Sequence, residues 1–342
     1  MLRLPEEFGF LGSFSFLSKH RNRCSPITLV QPTPAVGQVG GTVIRADGPM
    51  EIRSRGVDYD PVIITRIVRR MRGGSQAYLV EGQNSDFYVA KFAINPLGNR
   101  HLINDWIVHH LMVWLEICTP KVRVLHLPES VREVQELYFT VGDRKAATTG
   151  DLHFGSQCPV NPQSTAIFDF LPTPLFNQVV NLSDFATAFV LDKWLHHTDQ
   201  RKAVFVRESS ASTRCGYRAY FLSSGMALDG SSEQLTAAPG LGLGMDLNVY
   251  RLLQMPDLCE KALLRIEKVT GQQIHAAFEA IPACWFEHAD RTRFEDVFSL
   301  LQKQRLGLHS RLERDLEIFK RETTGSDFLT TFGAVSGSTA RS

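Results

Sequence analysis

The stretch PVIITRIVRRMRGGSQAYLVEGQNSDFYVAKF (61–92) decides the fold class. Three short runs carry the β-branched and aromatic residues that suit a pleated surface, among them Tyr78, Val80, Phe87, Val89 and Phe92. Gly73-Gly74 and the span from Gly82 to Ser85 supply turn residues between them. The reading is an antiparallel meander. Working outward, residues 99–116 put Leu102, Trp106, His110 and Val113 at helical spacing. Residues 121–127, 134–141 and 165–171 read as further strands. After Pro174 the texture turns helical: 183–197, capped by Ser183 and Asp184, then 246–254, 256–268, 270–280 and 290–321. A hairpin near 203–207 and 216–222 interrupts them. Strands with one helix, then helices with one hairpin, predict an α+β protein of two lobes and argue against a doubly wound sheet. The small lobe is expected over 58–170 and the large lobe over 171–322.

The 342 residues allow one large domain or two modest ones, and 43% hydrophobic residues suffice for a core. Lys+Arg is 37 and Asp+Glu 36, so no global basic field draws the chain to nucleic acid or an anionic membrane. The six cysteines form no CxxC pair, and they read as thiols in a reducing, cytoplasmic setting. No apolar run approaches a membrane span. Residues 8–17 have the look of a secretory core, but Glu6 and Glu7 precede them and no small-residue cleavage site follows. Residues 1–57 lack periodicity and read as a disordered leader or as sequence ahead of the true start codon. Residues 323–342, small and polar, read as a flexible tail.

Several patterns invite chemistry and have plainer readings. Gly240 to Asp246 (GLGLGMD) lacks the preceding strand that a dinucleotide turn needs, so a loop is the better reading. His109-His110 and His196-His197 point apart on a helix and lack a third ligand at helical spacing, even with Asp199 nearby. Arg66, Arg69, Arg70 and Arg72 either steer an anionic partner or blunt an edge strand. The most informative constellation is distributed. A glycine turn at 71–82 is followed by a strand lysine, Lys91, then by Asp105 in a helix fourteen residues on. Asp199 sits far downstream between a helix and a strand. Phosphoryl transfer uses these parts in this order: turn amides for phosphate oxygens, a lysine oriented by a helix acid, and a loop aspartate for the acceptor hydroxyl. Each residue taken singly also has an ordinary reading: an exposed strand lysine, a solvated helix acid, a helix-end turn.

The stretches RRMRGGSQAYLVE, FYVAKF, LINDWIV, LHFGSQCP, AIFDFLP, NLSDFATAFVLDKWLHHTDQR, AVFVR and IPACWF resemble the HipA-like kinase family, in particular its short bacterial branch. The resemblance spans roughly 61–305 and implies a two-lobed protein-kinase-like fold that uses ATP and Mg2+ on a protein Ser/Thr hydroxyl. It implies that Gly73, Gly74, Ser75 and Gln76 form the phosphate-facing turn. Lys91 would be the phosphate lysine, Asp105 its partner, Asp169, Phe170 and Leu171 the hinge that meets adenine, and Asp199 the catalytic aspartate. The sequence departs from the wider pattern at the metal. Val204 stands where an Asn is expected, and Ser223 where an Asp is expected in YFLSSGMALDG, with Asp229 six residues further. A hydroxyl is a poor substitute for a carboxylate on magnesium. A pseudokinase acting as an interaction module therefore stands as the alternative to an active enzyme.

Overall fold

The computed structural model describes residues 60–73, 75–93, 99–134, 137–141, 143–148, 150–197, 201–208, 216–223, 225, 227–228, 253, 255–286, 298–299 and 301–324. The expected leader, the helix over 246–254, the glycine-rich run 240–246, the start of the helix over 290–321, and the tail beyond 324 lie outside them. All described residues fall in one compact unit.

The first half is built on five strands: β1 (Val62–Arg70), β2 (Tyr78–Gly82), β3 (Phe87–Lys91), β4 (Val122–His126) and a later strand at Leu152–Gln157. Counting a hairpin of β5 (Tyr138–Val141) and β6 (Arg144–Ala147), that later strand is β7. The order β1-β2-β3-β7-β4 closes into a barrel, because β4 pairs with β1. The meander β1-β2-β3 is antiparallel, with Leu79 opposite Val89. The closing pair, Val62 opposite Leu125, is parallel, a departure from the all-antiparallel expectation. Closure requires it: the four other pairs are antiparallel, so direction alternates along β1-β2-β3-β7-β4 and the first and last of five strands run the same way. The barrel is filled by Ile64, Tyr78, Val80, Tyr88, Phe92, Leu125 and Phe139. Each such side chain contributes about 1.5–3 kcal/mol when fully buried.

β7 was not legible as a strand. Its sequence LHFGSQ has no alternation, and it runs between β3 and β4 in the middle of the barrel. Gly155 is needed there: a Cβ would sit 2.5 Å from Leu125 Cγ. The expected strand over 165–171 shortens to β8 (Ile167–Phe168), which pairs with a strand of the second half. Pro172 and Pro174 follow and remove the amides that would extend it.

Helix α1 (Arg100–Trp114) follows β3, and a short α2 (Glu129–Val134) was not anticipated. The second half holds α3 (Asp184–Trp194), the hairpin β9 (Ala203–Glu208) and β10 (Gly216–Phe221), α4 (Met255–Lys268), α5 (Gly271–Glu279) and α6 (Leu308–Thr324). Thr270 caps α5 with a reciprocal side-chain and backbone exchange with Gln273. The largest apolar cluster joins α1 to this half: Leu102, Ile103 and Leu111 pack in one core with Phe185, Phe189, Trp194, Phe205 and Phe221. α1 is buried on most of its circumference, from His101 through His109. Three indole N–H groups tie elements across that core. Trp106 donates to Ala277 O, Trp194 to Leu301 O, and Trp285 to Leu152 O on β7. No described helix is long and apolar enough to cross a membrane.

Candidate active site

Strand β3 ends at Lys91, and α1 carries Asp105 toward it. Lys91 Nζ lies 2.6 Å from Asp105 Oδ2. The carboxylate is wholly buried, while the lysine side chain keeps 19% of its surface exposed. An ammonium has three donors and Asp105 takes one, so Lys91 retains capacity for an anion. Asp105 Oδ1 is buried without a hydrogen-bond partner among the described residues. The lysine also lies over the Phe154 ring, 5.9 Å from its centroid. Burying a carboxylate this deeply is unfavourable unless it is paired, so the pair holds α1 and β3 in fixed register.

The chain from Arg70 to Tyr78 forms the glycine turn. Gly73 adopts φ +121° and Gln76 φ +47°, and Gln76 N–H donates to Gly73 O. Ser75 is half-buried in it, and Gly74 lies outside the described residues. The Gln76 side chain does not face the turn's interior. Its Nε2 donates to Thr140 O at 2.8 Å and its Oε1 accepts from Thr140 N–H at 2.7 Å, mimicking the peptide unit of a neighbouring strand. Arg70 donates to the same Oε1 and to Thr140 Oγ1, and lies over the Tyr138 ring. The β5–β6 hairpin is thereby docked on the turn. Of the arginines read as a basic run, Arg70 is engaged here and Arg66 pairs with Glu81.

Asp199 lies outside the described residues; the described residues before and after it in sequence form a buried ion-pair cluster. Asp192, on α3, is fully buried and salt-bridged to Arg201 Nε (3.0 Å) and Nη2. His197 Nδ1 lies 3.1 Å from the same carboxylate. Burial pushes the Asp192 pKa up, but the Arg201 charge and the His197 contact outweigh it, and the net direction is down. Arg201 also donates to Leu222 O, and Leu222 N–H donates to Lys202 O. The residue after Leu222 is Ser223. Asp192 was missed from sequence. Its only signal was an acid in the apolar stretch FATAFVLDKWL, which says that a partner exists and not which one.

At the expected metal positions the residues do not fit magnesium. Val204 lies on β9 opposite Tyr220, and Ser223 offers a hydroxyl only. Among the described residues no three His, Cys, Asp or Glu are grouped to hold a metal ion. The vicinal histidines have other surroundings. Burial lowers His109 to about 3 and His196 to about 4, so both are neutral near pH 7. In the segment expected to be the hinge, Asp169 and Phe170 are exposed, Phe170 at 67%, while Leu171 is buried at 2%.

The stretch LHFGSQCP places His153 beside the end of β3. His153 Nδ1 accepts from Ala93 N–H at 3.0 Å, and its ring packs edge-on against Phe92. Burial lowers its pKa to about 3, so the ring stays neutral and can accept that bond. His153 thus fixes the chain just beyond Lys91.

No protein-family model matches the sequence, and no curated protein does. Solved structures do. The chain is similar to the Helicobacter pylori proinflammatory kinase CtkA at 12% identity, covering 75% of this chain and 99% of that one, with a TM-score of 0.45. It is similar to the Golgi casein kinase at 12% identity over 75% and 74%, TM-score 0.43. With Mn/ADP bound, that kinase matches at 11% over 73% and 72%, TM-score 0.42. With scores below 0.5, the two-lobed α+β fold rests on the strand and helix arrangement itself.

Proposed function

We propose that this chain is a HipA-like kinase of the short bacterial branch, acting in the cytoplasm, which binds ATP and transfers its terminal phosphoryl group to a Ser/Thr hydroxyl of a protein. The observation that carries the reading is the Lys91–Asp105 pair: a strand-end lysine, held by a wholly buried helix acid and still partly exposed. In this reading Lys91 neutralises the phosphates. The backbone of Gly73, Gly74 and Ser75 faces them, while Gln76 contributes its fold-holding side chain. The backbone of Asp169, Phe170 and Leu171 meets the adenine. Asp199 takes the acceptor's proton as its oxygen attacks phosphorus and the ADP oxygen leaves. The Asp192–Arg201 pair ties α3 to the chain two residues after Asp199.

Val204 and Ser223, at the positions expected to hold Mg2+, do not fit it. That same observation favours a second reading, a pseudokinase that senses nucleotide or serves as an interaction module without phosphoryl transfer. Loss of both metal-holding side chains removes much of the charge neutralisation that speeds phosphoryl transfer.

Calorimetric titration of ATP, with and without magnesium, into the wild type and Lys91→Ala separates the two. The kinase reading expects saturable, magnesium-dependent binding in the wild type, lost in a folded Lys91→Ala. Absence of binding in the wild type defeats it and leaves the interaction module. Ser223→Asp is expected to raise magnesium affinity, and an unchanged affinity removes Ser223 from the metal position.

A further inference from the structure

Helix α1 grips two parts of the molecule with consecutive residues. Asp105 holds Lys91 from β3. Asn104, one position earlier and buried, donates both amide hydrogens of Nδ2 to carbonyls beyond β10: Gly225 O at 2.9 Å and Ala227 O at 2.7 Å. Neighbouring helix positions point about 100° apart, so one helix faces both partners at once. Two further contacts fix the same stretch. Arg100 Nη2 donates to Leu228 O at 2.9 Å. Gly225 lies so close to α1 that a Cβ would stand 2.7 Å from His101 Cβ and 2.8 Å from His101 O. Leu228, at φ +63°, also donates its N–H to Leu195 O at the end of α3. Ser223 is two residues upstream of Gly225.

We infer that Asn104 is a positioning residue that couples the Ser223 side of the site to the Lys91–Asp105 pair through α1. The nucleotide consequence rests on the reading of Lys91 given above; the mechanical coupling does not. α1 is buried on most of its circumference, so it responds as a rigid body rather than by local bending. Displacing the chain at Gly225 then displaces Asp105 from Lys91. Releasing Lys91 loosens the hold on Gly225, Ala227 and Leu228, because coupling between two sites is reciprocal.

The test uses the full chain and reads Lys91 directly. Acetylation of lysines by acetic anhydride is quantified by mass spectrometry in the wild type, Gly225→Ala and Asn104→Ser. Lys193, buried in an ion pair with Asp315, reports general loosening. The expected result is a rise of at least fivefold in the Lys91 acetylation rate in both variants, with Lys193 unchanged. In the converse arm, Lys91→Met is expected to speed amide hydrogen exchange in peptides covering 223–228 about tenfold. An unchanged Lys91 rate in both variants overturns the inference, as does a rise shared equally by Lys193. If the wild type binds ATP, Asn104→Ser raises the Kd for ATP at least tenfold. Absent binding defeats the nucleotide reading alone, and the acetylation arm still decides the coupling.

Discussion

Replacing Arg201 by Met leaves the Asp192 carboxylate buried without its counter-charge. In the native protein the guanidinium meets that carboxylate through two nitrogens and caps Leu222 O with a third. Removing one partner of a buried pair costs about 3–5 kcal/mol, because the remaining charge is left uncompensated. The orphaned Leu222 carbonyl adds on the order of 1 kcal/mol, though not additively. At roughly 2–4 °C per kcal/mol for a protein of this size, the expected fall in Tm is on the order of 10 °C. The pH dependence has a definite sign. In the wild type the Asp192 pKa is lowered, with Arg201 and His197 outweighing burial. Its contribution is therefore complete above the ordinary carboxylate range near 4 and is lost as pH falls through the lower native value. In the variant only the His197 contact is left to oppose burial, so that pKa rises relative to the wild type, and the deficit is largest near pH 7 and shrinks as pH falls toward 4. Urea unfolding at pH 7 and 4.5, followed by circular dichroism, measures both. The double variant Asp192→Leu/Arg201→Met removes the stranded charge and should recover much of the loss. A deficit under about 1 kcal/mol at pH 7, or a double variant worse than Arg201→Met alone, refutes this reasoning.

Three further outcomes are expected. Burial holds His109 and His153 near pKa 3 and His196 near 4, below their ordinary value of about 6.5. Stability should therefore be full above pH 6.5 and fall as pH drops toward 4, by up to about 1.4 kcal/mol per pH unit per histidine. A urea midpoint that stays level between pH 7.5 and 5 contradicts this, and His153→Gln should flatten the slope. Gly155→Ala should cost about 1–3 kcal/mol by overpacking, since its Cβ meets Leu125 Cγ at 2.5 Å and Cδ1 at 2.6 Å. Leu125→Ala in the same chain should relieve part of that, and simple addition of the two losses would show that the contact is not the cause. Gln76→Ala should speed hydrogen exchange across 138–147 while moving Tm by no more than a few degrees, because it removes the two strand-like bonds that dock the hairpin. Equal exchange in the two proteins would place the hold on Arg70 and on the Tyr78 hydroxyl, which donates to Tyr138 O at 2.8 Å, instead.

The sequence by itself determined the parts that depend on local pattern. Alternating and β-branched residues from Val62 to Lys91 specify a meander whatever they pack against, and the apolar spacing in 99–116 and 183–197 specifies helices. The placement of a lysine at a strand end and an acid fourteen residues later was equally legible, because each residue's element could be read separately. Only the tertiary structure decided what lies far apart in sequence. LHFGSQ becomes a central barrel strand because β3 and β4 both need a partner, and no periodicity in six residues records that need. Gln76 reads as part of a phosphate turn, yet its amide is used on Thr140, 64 positions away. Asp192 needed a cation, and both Lys193 beside it and Arg201 beyond the loop were candidates. Packing resolved the choice: Lys193 reaches Asp315 on α6, and Arg201 turns inward to Asp192. The physical reason is common to all three. Secondary structure follows from chain stereochemistry and the spacing of apolar residues, whereas the partner of a buried polar group is whichever group the fold brings within about 3 Å.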